Sequence, residues 1–173
     1  MSTGLFFVVC EVLIISGITK VLSPSPTSTA LSDVGLPSST FYVRCLGFGE
    51  VVFGILGIIF GGRYFPLFIG CLFAFFSIFM VIALRNGHMA SCGCFGSSDT
   101  PPSIIHLLAN LGFMVISLIA VGTSGLRDML EKQPGYGVPF LISILLGALL
   151  IFLCLAFGPI AWEKKRAFSR NSR

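Results

Sequence analysis

The chain has 173 residues, of which 55% are hydrophobic and 10% charged, with a formal net charge of +4. A soluble domain carries roughly 25% charged residues, so this chain has too little charge to cover a water-exposed surface. That excludes a soluble enzyme, a disordered tail and a nucleic-acid binder, and it makes the lipid bilayer the expected surroundings. The positive charge is no argument for nucleic acid. Five of the eleven Lys and Arg residues (Lys164, Lys165, Arg166, Arg170 and Arg173) fall in the last ten positions, which is the pattern of a membrane flank.

A transmembrane helix needs about 17–25 mostly apolar residues. Five runs qualify, in chain order Leu5–Leu22, Val43–Gly62, Phe65–Leu84, Ile104–Gly122 and Val138–Ala161. None shows period-2 alternation, and a bilayer accepts only helices or closed barrels. The expected fold is therefore all-α, a polytopic membrane helix bundle. Pro66 and Pro139 stand one residue into their runs, where a missing N–H costs nothing. Between the runs we expect three loops: Ser23–Thr40, polar and without Lys or Arg, then Gly87–Ser103, then Thr123–Gly137. Ser28-Thr29-Ala30 would suit a signal-peptide cleavage site, but no basic residue precedes the first run, and Glu11 and Lys20 lie inside it. We read it as a retained span.

Charged groups in lipid are costly, about 2.5–3.5 kcal/mol each on insertion scales, so they are candidate functional residues. Alternation of the spans places Lys20, Arg44, Cys45, Arg85, His106 and Asn110 near the side that carries the Gly87–Ser103 loop. Glu50 lies seven residues in from Val43, roughly 10 Å deep. Glu50, Gly54, Gly57 and Gly61 follow i, i+4, i+7, i+11 on one helical face, and small residues let helices approach closely. Glu50 should therefore face the bundle interior, either as a structural partner of Lys20 or Arg44 or as a chemical group. His106 and Asn110 share a face at i, i+4 and suit interhelical hydrogen bonds equally well. Glu11 has no partner on its own helix, since Lys20 is nine residues away and on the opposite face.

Six cysteines occur. Cys10, Cys71 and Cys154 lie within apolar runs, where cysteine behaves as a small hydrophobe. Cys45, near the membrane surface, is a candidate resolving thiol. Cys92 and Cys94 differ, because Ser91-Cys92-Gly93-Cys94-Phe95-Gly96 lies in a polar loop. A disulfide across one residue closes a small ring, and Gly93 has no Cβ to oppose the turn. Such a bond is strained, easily reduced and suited to exchange with a partner. Two other readings stay open: a soft metal ion held by Cys92, Cys94 and His88, or a plain turn.

Together, CGCFG at Cys92–Gly96 after a third span, Ser16-Gly17-Ile18-Thr19-Lys20 closing the first, Glu50 within the second and Asn110 early in the fourth resemble the MauE family of methylamine-utilisation membrane proteins, within the DoxX-like group. The resemblance covers roughly residues 5–122. It implies a four-helix DoxX-like domain over residues 1–122, with a loop, a fifth helix and a basic tail over 123–173. It also implies a part in methylamine metabolism, in maturation of the disulfide-rich small subunit of methylamine dehydrogenase beside a thioredoxin-like partner. Cys92 and Cys94 would be the redox pair of a membrane thiol–disulfide oxidoreductase, and Lys20, Glu50 and Asn110 membrane residues of unassigned role. The chain departs from the family in having Ala109-Asn110 where members often have Arg-Asn, and in its fifth span.

The expectation is an integral membrane redox protein, with five spans in a bacterial inner membrane. Cys92 and Cys94 would cycle with a thioredoxin-like protein and a disulfide-containing client. Lys20 would favour the thiolate, and Glu50, His106 and Asn110 would support the pair. No cofactor motif is visible, although the polar leaflet cluster leaves room for a quinone. The alternatives are a non-catalytic assembly factor docking a partner on the glycine face, and a small metal or solute carrier using Glu50 and His106. Two topology arguments collide. With five spans, eight cations lie on the cysteine side against three opposite, which places the cysteines in the cytoplasm. Disulfide chemistry favours the extracytoplasmic side.

Overall fold

The computed structural model describes residues 2–86, 103–132, 142, 144–151 and 153. In chain order the elements are α1 (Ser2–Leu22), α2 (Ser25–Asp33), α3 (Thr40–Phe60), β1 (Gly61–Gly62), α4 (Tyr64–Asn86), α5 (Ile104–Ile119), β2 (Thr123–Ser124) and α6 (Leu126–Lys132). The first, third and fourth helices are long and apolar enough to cross a membrane, and α5 is a shorter apolar helix. The result is an all-α membrane bundle, as the apolar runs require. Residues 142, 144–151 and 153 are helical too, and Ile144 and Ala148 are buried in the cluster that holds Phe6 and Phe7 of α1.

The bundle is built from two tight antiparallel pairs, α1 on α3 and α4 on α5. The α4–α5 pair meets through Phe73 and Phe113, whose ring centroids are 5.2 Å apart. The α3–α4 contact includes stacked Phe53 and Phe68 at 4.0 Å. The α3–α4 turn runs through Gly61 (φ +55°) and Gly62 (φ +75°), a backbone region that a side chain resists. A Cβ on Gly61 would also lie 2.6 Å from the Gly125 nitrogen. This turn pairs antiparallel with Thr123–Ser124, tying the end of α5 to the α3–α4 turn. Exposed Tyr42 with Arg44 near the start of α3, and exposed Tyr64 just beyond its end, mark the two interfacial levels.

The structure corrects three expectations. Ser23–Thr40 is not wholly loop, because nine of its residues form α2. Pro26 in the first turn presets the helical φ, and Ala30 packs against Phe79 and Ala83 of α4. The helix therefore gains from tertiary contacts that its polar composition does not announce. Thr123–Gly137 likewise contains β2 and α6. Finally, α3 starts at Thr40 behind an N-cap, the Ser39 hydroxyl accepting from the Phe41 N–H, and not at Val43. Glu50 is then ten residues from each end of α3, at mid-helix.

Candidate functional site

The α1–α3 interface is close enough to be backbone on backbone. A Cβ built on Gly17 would lie 2.5 Å from the Gly47 carbonyl oxygen, and one on Gly47 would lie 2.6 Å from that of Gly17. Gly54 and Gly57 continue the contact against Ile14 and Cys10. Glu50, Gly54 and Gly57 share the face read from the sequence and α1 covers them within the chain, whereas Gly61 lies at the C-cap of α3 and meets Gly125 and Thr123 instead. Gly47 extends that face one step earlier, at Glu50 minus three, and the sequence reading did not include it.

This contact seats an ion pair. Lys20 Nζ lies 2.9 Å from Glu50 Oε2 and donates at 2.7 Å to Ser16 Oγ, one turn back on its own helix. The ammonium also stands 5.3 Å from the centroid of the Phe76 ring on α4, a cation–π distance. Relative exposure is 4% for Lys20 and 1% for Glu50. A lysine near a helix end usually reaches outward to the interface. Lys20, two residues from the end of α1, instead turns inward. Ser16 also lies beside the Glu50 carboxylate. Oε1 of Glu50 is buried and has no hydrogen-bond partner among the described residues. Arg44, the other partner considered for Glu50, is exposed.

His106 and Asn110 are buried at 1% and 5% exposure on one face of α5. His106 Nδ1 lies 2.8 Å from Ser103 Oγ, and Ser103 caps the helix by accepting from the His106 N–H. Two further buried hydroxyls bond back to their own helices: Ser77 to Phe73 O and Ser117 to Phe113 O, each at 2.8 Å. Their buried polar character was not singled out from sequence. Glu11 is half-buried, and its Oε2 has no hydrogen-bond partner among the described residues. Cys10, Cys45 and Cys71 are free thiols, with Cys10 buried and the other two exposed. Cys92, Cys94 and His88 lie outside the described residues. The segment that carries them joins the end of α4 to the start of α5. Those ends share a side of the bundle with the end of α1, because α2 follows α1 and packs on Phe79 and Ala83 near the end of α4.

A family model described as methylamine utilisation protein MauE matches residues 1–123. The chain belongs to the MauE family. The matched region takes in α1 to α5, and with them Lys20, Glu50, His106, Asn110 and the cysteine motif. It stops before α6 and the helical residues 142, 144–151 and 153. No curated protein and no solved structure matches the chain. The chain is thus a membrane protein of the family described as methylamine utilisation protein MauE.

Proposed function

We propose that this MauE-family protein is a membrane thiol–disulfide redox protein that supports maturation of a disulfide-containing client, of the methylamine dehydrogenase type. The observation that carries the reading is the Cys92-Gly93-Cys94 motif inside the family match, on a segment anchored between α4 and α5. In the exchange, the Cys92–Cys94 disulfide opens to two thiols as the two thiols of a thioredoxin-like partner join, the partner's disulfide then takes two electrons and two protons from the client's thiols, and Cys92 and Cys94 are reoxidised by passing theirs on. A membrane quinone is the acceptor class we propose for net oxidation. The full arrangement is a DoxX-like four-helix core with a fifth helix over the second half of the chain, in a bacterial inner membrane. Burial of Ile144 and Ala148 against α1 supports the fifth helix.

Trapping tests this reading. One of the single variants Cys92→Ser and Cys94→Ser should hold the thioredoxin-like partner in a mixed disulfide, seen as a band that reductant removes. The double variant should lose client maturation. Full maturation by the double variant overturns the proposal in favour of an assembly factor.

A further inference from the structure

We propose that Glu50 is a proton-binding site inside the helix bundle, loaded on Oε1 while Oε2 stays bonded to Lys20. The reading does not depend on whether Cys92 and Cys94 cycle. It rests on three features of the α1–α3 contact.

First, the carboxylate is asymmetric. Oε2 accepts from Lys20 Nζ at 2.9 Å, whereas Oε1 is buried without a hydrogen-bond donor among the described residues. A buried carboxylate oxygen with no donor is costly as an anion. The same oxygen, once protonated, carries its own O–H. Second, the lysine is not stranded when the carboxylate is neutralised. Lys20 Nζ also donates to Ser16 Oγ at 2.7 Å and lies over the Phe76 ring at 5.3 Å, and the carbonyl oxygen of a neutral acid still accepts its hydrogen bond. Both charge states therefore fit one set of side-chain positions. Third, the helix spacing is fixed by backbone. Gly17 and Gly47 are already at backbone contact, so the site exchanges a proton without exchanging its walls. The step is balanced: the proton that ends on Oε1 comes from hydronium in the aqueous phase, which is left there as water.

Among the described residues, Lys20 is the only charged group that acts on Glu50. From α1, Ser16 and Cys10 also face α3, with Cys10 a full turn or more away against Gly54 and Gly57. From α4 the facing group is the Phe76 ring, which does not titrate. On α5, His106 is engaged with Ser103.

The test is infrared difference spectroscopy on the full chain in lipid vesicles, with a pH jump as the probe. The expected result includes a carbonyl-stretch band of a protonated carboxylic acid that grows on acidification, shifts down in D2O and belongs to Glu50. It should vanish in Glu50→Gln and persist in Glu11→Gln, the other carboxyl within a span. Difference spectra that Glu50→Gln leaves unchanged, or no such band at any pH where the chain stays folded, overturn the proposal. Should Glu50→Gln not fold, the wild-type chain with 13C-labelled glutamate side chains serves. Its four glutamate carboxyl signals are assigned through Glu11→Gln, Glu131→Gln and Glu163→Gln. The remaining signal must titrate, and a Glu50 signal that stays ionised throughout is equally fatal.

Discussion

Gly17 and Gly47 face each other so closely that either carbonyl oxygen occupies the space a side chain on the other would need. This contact sets the distance at which Lys20 meets Glu50. Overpacking a filled interface costs about 1–3 kcal/mol, occasionally more, and here the obstacle is backbone, which yields little. Gly47→Val should therefore lower stability by at least the upper part of that range. Gly49→Ala, where an added Cβ meets nothing within 4 Å, should leave stability unchanged. Unfolding in detergent, followed by circular dichroism, separates the two.

Removing one partner of a buried ion pair costs about 3–5 kcal/mol, whereas replacing both with apolar groups is often close to neutral. Lys20→Met should destabilise the bundle, because the buried Glu50 carboxylate then loses its cationic partner. Lys20→Met combined with Glu50→Leu should recover most of the loss. Additive losses in the double variant, read from melting temperatures, would mean that the pair is not energetically coupled.

Ser103 serves both the α5 backbone and the His106 ring. Loss of an N-cap costs about 1 kcal/mol. Ser103→Ala should cost at least that, and Ser103→Asp should restore the cap. Hydrogen exchange at the first turn of α5 reports the difference, faster in Ser103→Ala and near wild type in Ser103→Asp.

The polar helix α2 is held by the burial of Ala30 against Phe79 and Ala83. Ala30→Asp places a charge in that contact and should release α2 while α1 and α3 keep their own packing. The expected readout is faster proteolysis between residues 23 and 39 with little change in total helix content.

Much of this was legible in the sequence, for physical reasons. Long apolar runs have one stable form in lipid, so α1, α3, α4 and α5 could be read from hydropathy alone. Helical periodicity also put Glu50 on the glycine face and His106 with Asn110. The choice between Lys20 and Arg44 was not legible. It depends on Lys20 turning back toward Ser16, and that follows from where Gly17 and Gly47 touch. The mid-helix position of Glu50 was not legible from the apolar run, which opens at Val43. The helix starts three residues earlier, and Ser39, a cap residue visible in the sequence, was the missed signal. The helices α2 and α6 carry no apolar run, and α2 is stabilised by residues about fifty positions away. Cys92 and Cys94 rest on motif and family alone.

The most direct measurement is the redox state of those two thiols. The full chain in membranes is alkylated after equilibration at reducing and at oxidising poise, and the intact mass is read. The account predicts that oxidation withholds two alkyl groups, and that peptide mapping places both at Cys92 and Cys94. Alkylation of both residues at every poise would contradict it.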